Sequence, residues 1–362
     1  MTYLYFFILS LFLIYSYALV DPNFTLINIS LWEWFRNNMV FLGYYQRPLS
    51  SLIYIILIAL LFYFHFYFLK KIKKTNILKL TYGIVIILLV SYPFLSHDFF
   101  NYMFDAKILT LYGQNPYLHK ALDYYPYDTW LRFMHWTHRT YPYGPVFLGV
   151  SLIPSFLSFG KLLLNFIFFK AFFGFFYVLS VYLLNKINKK YALFFATNPL
   201  IIVEGLINSH NDLIAVAFGI IGIFYLFKKT NLWSRIFFLL SGGIKYISVP
   251  ILFLSKNSKS KLNTAVFIGL SFLLIYLSFF QEIQPWYFLN LFLLIAYFPK
   301  LLSSLNIFFA GLLLSYLPFI YFGDWGVQSN LNIKHWIIIT FFIINLSYMF
   351  VYNFSNVKKS HQ

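Results

Sequence analysis

The chain has 362 residues, of which 61% are hydrophobic and 10% charged, and a formal net charge of +17; its mean hydropathy is +0.73. A water-soluble domain of this size needs a far more polar surface, so that class is excluded. With no cysteine in the sequence, disulfides, thiolate catalysis and cysteine-ligated metal centres are excluded too.

Apolar segments lie near 1–20, 51–69, 77–96, 144–158, 162–185, 191–208, 213–227, 232–254, 262–280, 286–298, 301–322 and 336–353. Most suit a hydrocarbon core roughly 30 Å thick. The first has no basic start and no clear small-residue cleavage site, so it is expected to be a retained helix. Residues 1–362 are expected to form one all-α polytopic membrane domain with about 10–13 transmembrane helices.

The charge pattern orients these segments. Lysines cluster at 70–74, 186–190, 228–229, 256–261 and 358–359, in loops without acids. That is the pattern of cytoplasmic loops, and it argues against a nucleic-acid partner. All ten acids fall elsewhere: Asp21, Glu33, Asp98, Asp105, Asp123, Asp128, Glu204, Asp212, Glu282 and Asp324. The stretch 21–50 is then outside, and the third segment delivers Ser96-His97-Asp98 to the same face. The long loop 97–143, rich in Tyr, Trp and His, is expected to lie in the membrane interface. Every basic loop stays inside if 144–185 supplies one full crossing and 232–254 forms a shallow hairpin. Gly242-Gly243 and Pro250 interrupt the latter, which puts Lys245 near the outer face.

Asp98, Tyr102 and Asp105 are spaced i, i+4 and i+7, one face of a helix. A carboxylate at a membrane–loop junction is partly desolvated, which suits Asp98 to general-base work; solvation of the loop or pairing with Lys107 are the plain alternatives. Residues 113–117 read as the turn that leaves this helix. His135 and His138 are three apart and could face one ligand, but two histidines without a nearby acid point only weakly to a metal. No cofactor follows from the residues, and a divalent cation stays open. Trp136, Tyr141 and Tyr143 suit sugar stacking or interface anchoring. Arg139 suits a phosphate or a lipid headgroup.

Glu204 lies in an apolar run and needs a partner or a wet cavity. It shares a face with Asn208 and Asn211 if the helix continues, and His210-Asn211-Asp212 follow directly. Lys245 is a second intramembrane charge, set either to pair with Glu204 or Asp212 or to face an anionic lipid phosphate. Trp286 and Tyr287 read as interface anchors.

Together these blocks resemble the GT-C superfamily of multi-pass glycosyltransferases, and most of all the bacterial α-mannosyltransferases of the mycobacterial lipoglycan type. The matching stretches are His97-Asp98 through Tyr102 and Asp105, 113–117, Tyr143-Gly144-Pro145, Asn198-Pro199-Leu200 through Glu204 to His210-Asn211-Asp212, and Gly243-Ile244-Lys245-Tyr246. The long loop follows the third apolar segment here rather than the first, an offset that two additional N-terminal helices explain.

The resemblance implies a polyprenyl-phosphate sugar donor, a glycan or glycolipid acceptor, a membrane-lipid environment and mannose as the sugar. It implies that Asp98 is the catalytic base; Asp105, on the same helix face, is the second candidate. Such a reaction needs cations on the donor phosphate, for which Lys245 and Arg139 are the candidates, and Tyr102, His138, Tyr143, Glu204, His210, Asn211 and Asp212 are the expected substrate-binding residues. In-line attack at the outer membrane face inverts the anomeric centre. A lipid-linked glycan polymerase or ligase, and a lipid or oligosaccharide flippase, are the rival classes.

Overall fold

The computed structural model describes the backbone of residues 1–360 and the side chains through residue 351. Each apolar segment carries helix, and no strand occurs among the described residues. The first half contains α1 (Thr2–Tyr15), α2 (Ser30–Val40), α3 (Arg47–Lys70), α4 (Ile77–Leu88), α5 (Asp98–Thr110), α6 (Pro145–Leu157) and α7 (Leu162–Ile187). The second contains α8 (Lys189–Thr197), α9 (Asp212–Phe227), α10 (Asn231–Ile244), α11 (Lys261–Phe280), α12 (Pro299–Ser304), α13 (Asn306–Leu314), α14 (Leu317–Phe322) and α15 (Gln328–Ser360).

Five helices among the described residues are long and apolar enough to cross a bilayer: Thr2–Leu19, α3, α7, α11 and Gln328–Val351 of α15. Counting α8 with the π-turn Ile201–Ile207, bent from it by 67°, makes six. The larger number expected from the sequence counts short and broken helices together with these. Of the pair α6 and α7, only α7 has full crossing length, in line with a single crossing over 144–185. Large apolar side chains stay exposed along the long helices, among them Ile55 and Tyr63 on α3 and Ile268, Phe272 and Phe279 on α11. In water such a surface would aggregate; in a bilayer it meets lipid.

Three interruptions shape the interior. Pro199 cannot continue α8, because its ring excludes the i−4 carbonyl and restricts the residue before it. Asn198, buried at this corner, accepts a hydrogen bond from the Leu200 amide at 3.0 Å. The chain winds as a π-turn to Ile207 and breaks at Ser209, whose φ is +57°. A second interruption follows α10, where Lys245 is extended and a 3-10 helix, Tyr246–Phe253, runs back. Arg235 donates to the Leu252 carbonyl, and Ser241 Oγ lies 3.0 Å from Ser248 Oγ. The arms therefore lie side by side, as the expected hairpin over 232–254 requires. The third is Pro285–Leu294, a 3-10 helix where a straight span would otherwise begin. Irregular backbone at membrane depth must be buried in protein, and every residue from 201 to 217 is buried.

Contacts sort the charges onto two ends. One cavity, of about 230 Å³, is lined by Asn188, Lys190, Ile295 and Lys300. Phe227 stacks on Tyr297, and Phe267 of α11 meets Phe298, bringing the lysine loops 228–229 and 256–261 to that same end. At the other end Asp21 lies 3.8 Å from His135, and Asp98 and Asp212 lie beside His210 and Lys245. Glu282 joins them, 2.9 Å from Lys334 and 3.0 Å from His335. Lys358 and Lys359 fall outside the described side chains.

The hairpin is seated by a glycine. A Cβ on Gly144, at the start of α6, would run into the Gly243 carbonyl, whereas one on Gly149 would meet nothing within 4 Å. Gly144→Ala is expected to destabilise the protein by about 1–3 kcal/mol, while Gly149→Ala stays neutral or stabilises slightly. Thermal unfolding in detergent checks both.

Candidate active site

Asp98 is the first residue of α5, where the helix dipole favours a carboxylate. Its Oδ1 lies 3.4 Å from Arg139 Nη2 and its Oδ2 lies 4.0 Å from His210 Nδ1. Tyr143 places its hydroxyl in hydrogen-bonding reach of the same group. The Asp98 side chain keeps 17% of its surface exposed, so the group is screened from water without being sealed from it. Burial raises its pKa above the usual carboxylate range; Arg139, Lys245 and Tyr143 pull it down without cancelling the effect. A more basic carboxylate is a better proton acceptor.

The helix face expected from the sequence is present. Tyr102, one turn on from Asp98, donates to Asn211 Oδ1 at 3.4 Å and meets the Tyr143 ring edge-on at 5.0 Å. Asp105 is buried and its pKa is pushed up to about 8 by that burial, with Asp98 adding to the rise and Arg139 opposing it. It is therefore mostly protonated at neutral pH. Gly113, at φ +64°, turns the chain out of α5. Lys107 pairs with neither acid of this face. It pairs with Asp128 and lies over the Trp130 ring at 3.8 Å, because the loop folds back over the end of α5.

The break after Ile207 supplies the opposite wall. His210 is fully buried, its ring stacked on Trp286 at 4.0 Å and 16°, with Nε2 3.4 Å from Glu204 Oε2. Glu204, also fully buried, accepts from Asn208 Nδ2 at 3.2 Å. Asp212 starts α9, pairs with Lys245 Nζ at 2.9 Å and accepts from Asn290 Nδ2 at 2.8 Å. Lys245 stands at the turn of the hairpin with 18% of its side chain exposed, over Tyr143 at 5.7 Å and Tyr287 at 6.0 Å. Of its two expected partners, then, it takes Asp212 rather than Glu204.

Asp98, Tyr102, Arg139, Tyr143, Glu204, His210, Asn211, Asp212 and Lys245 therefore surround one region, with Asp105 behind it. His138 does not join them; it is exposed, 6.1 Å from Trp136. Nor does it share a ligand with His135, which stacks on His97 at 3.6 Å and faces Asp21. The 3-10 turn Thr129–Phe133 ends before them and Met134 is extended, so residues three apart no longer share a face. Likewise Glu204, Asn208 and Asn211 do not lie along a continuous helix; the break at Ser209 turns the chain. Among the described residues no three His, Asp or Glu side chains converge as a metal-ligand set.

Four participants escaped the sequence reading. Trp286 and Asn290 come from the 3-10 helix Pro285–Leu294, and the first reads in sequence as an interface anchor. Lys334, buried beside Glu282, lies in the second turn of α15. Lys170 is buried within α7, where a lone charge in an apolar helix was the available signal.

A protein-family model described as alpha-(1->6)-mannopyranosyltransferase, N-terminal domain, matches residues 36–255, more than half of the chain. The match takes in α5, the break at 198–212 and the Lys245 hairpin, and stops before Trp286 and Asn290. No curated protein and no solved structure matches the chain.

Because Arg139 lowers the Asp98 pKa, Arg139→Gln is expected to raise it further, so that protonation of Asp98 begins at a higher pH than in the wild type. Infrared difference titration of the carboxyl stretch reads this directly, with Asp98→Asn identifying the band.

Proposed function

The chain belongs to the alpha-(1->6)-mannopyranosyltransferase family and is a glycosyltransferase, and from that premise we propose that it moves a mannosyl unit from a polyprenyl-phosphate donor to a glycan or glycolipid acceptor, at the extracytoplasmic face and with inversion. The observation that carries this reading is the meeting of Asp98, with its raised pKa, and two cations, Arg139 and Lys245, at the end of the molecule opposite the lysine-rich loops. Positive loops mark the cytoplasmic side, which supports reading this end as the outer one. A lipid-carried sugar reaches such a site without any nucleotide.

In this reading the acceptor hydroxyl gives its proton to Asp98 as its oxygen attacks the anomeric carbon. The bond from that carbon to the phosphate oxygen breaks, and the polyprenyl phosphate leaves with the electron pair. One in-line displacement turns a β-linked donor into an α-glycoside. Charge grows on the leaving phosphate, where fixed cations stabilise the transition state most effectively in a water-poor site. Lys245 has three ammonium protons, so it keeps Asp212 as a partner and still presents donors to a phosphate. Arg139, against Asp98 and 5.2 Å from the Trp136 ring, offers a planar fork for the same oxygens. Tyr102 and Tyr143 offer hydroxyls and ring faces to a sugar. Trp286 and Asn290, beyond the matched residues, complete the wall around His210 and Asp212. That supports treating residues 1–362 as one functional unit.

Incubation of the purified protein with radiolabelled polyprenyl-phosphate mannose and a membrane acceptor extract tests the proposal. The expected product is labelled, released by an α-mannosidase and resistant to a β-mannosidase. Lys245→Gln is expected to slow transfer by about 10²–10³-fold. No transfer from this donor, with transfer from a nucleotide sugar, would overturn the donor assignment.

A further inference from the structure

Lys170 is buried within α7, and among the described residues its side-chain nitrogen meets only neutral acceptors. Its Nζ lies 2.6 Å from the Ile207 carbonyl, 3.0 Å from the Leu206 carbonyl, 3.1 Å from Ser209 Oγ and 3.2 Å from Ser91 Oγ. Three ammonium protons serve these four acceptors. The Phe99 ring lies 5.1 Å away, within cation–π range. A charge at this depth is expensive to hold. An apolar side chain would fill the same space without that cost, but it could not satisfy the carbonyls.

Those carbonyls are the ones the break exposes. A helix that stops leaves its last C=O groups without amide partners, and a cation at that end is favoured by the helix dipole. Leu206, Ile207 and Ser209 immediately precede His210, and Ser209 holds a φ of +57°, which a non-glycine residue seldom adopts unless its surroundings impose it. On the other side, Ser91 ends the segment after α4, and Phe99 follows Asp98 in α5. A second tie runs parallel to the first: the Leu95 amide donates to Asn208 Oδ1 at 3.2 Å.

We propose that Lys170 is a positioning residue for the transfer reaction. Its ammonium clamps the break at 206–209 to the segment leading into Asp98, and thereby sets where His210 and Asp212 stand relative to Asp98. The kinetic part of this inference rests on the transfer reaction proposed above. Its structural part does not.

Tyr177, on the same helix, provides the control. It is fully buried and donates to the Ala196 carbonyl at 2.6 Å, so it anchors the other half of the interrupted helix without touching the break. Lys170→Met and Tyr177→Phe are to be compared in the full chain in lipid vesicles, by thermal midpoint, kcat, KM for polyprenyl-phosphate mannose, and amide hydrogen exchange at 208–212. Lys170→Met is expected to lower kcat by about 30-fold or more with KM within roughly threefold, as misplaced groups do, and to speed exchange at 208–212. Tyr177→Phe is expected to leave kcat within about threefold and exchange at 208–212 unchanged.

An unchanged kcat in Lys170→Met, or equal losses in both variants, would overturn the proposal. If Lys170→Met does not fold, Ser91→Ala decides: a fall in kcat at an unchanged thermal midpoint supports the clamp, and an unchanged kcat overturns it. If the wild type transfers nothing from this donor, the donor assignment fails by itself. Exchange at 208–212 in Lys170→Met then tests the clamp alone, and unchanged protection overturns it.

Discussion

A helix interrupted inside a bilayer leaves carbonyl and amide groups that lipid cannot satisfy, and between Thr197 and Asp212 the chain satisfies them with its own polar side chains. Asn198 takes the Leu200 amide and Lys170 takes the carbonyls of Leu206 and Ile207, while Asn208 ties the break to the segment before Asp98 by accepting from the Leu95 amide. The interruption stops α9 from being a plain continuation of α8. It turns His210 back towards Asp98 and starts α9 with Asp212 facing the Lys245 hairpin. Without the break, the acids and cations of this end would be spread along a helix instead of gathered around one space.

Two ion pairs offset each other's charges at this end. Asp98 faces Arg139 and Asp212 faces Lys245, so two anions offset two cations in a poorly solvated region where an unpaired charge would be costly. This balance suits a reaction that brings in a phosphate and releases a proton. In the proposed reaction the cations are held in place before the phosphate arrives, so little reorganisation is needed when its charge grows. Asp98 can accept the proton because its burial has already made it more basic than a surface carboxylate. Asp105, mostly neutral at physiological pH, adds no second negative charge that would repel the proposed donor.

Much of this was legible in the sequence where it depended on neighbours in the chain. Asp98, Tyr102 and Asp105 lie within one short helix, so their spacing alone placed them together. The division into a lysine-rich and an acid-rich end followed from loop composition, and the hairpin over 232–254 from its glycines and proline. The sequence misled where a period was assumed to persist: through Ser209 for the face of Glu204, and past Phe133 for His135 and His138. It was silent where two distant segments had to meet. Nothing local says that Trp286 will cover His210, that Asp128 will claim Lys107, or that Lys170 will find the carbonyls of a π-turn 36 and 37 residues later in the chain.

The central claim is that Asp98 takes the proton from the acceptor at this end of the molecule. A single-turnover measurement with saturating polyprenyl-phosphate mannose, comparing wild type with Asp98→Asn and following donor binding separately, tests it most directly. The account predicts a transfer rate lower by about 10²–10⁴-fold, with donor binding retained. Transfer by Asp98→Asn at the wild-type rate would contradict it and move the base elsewhere.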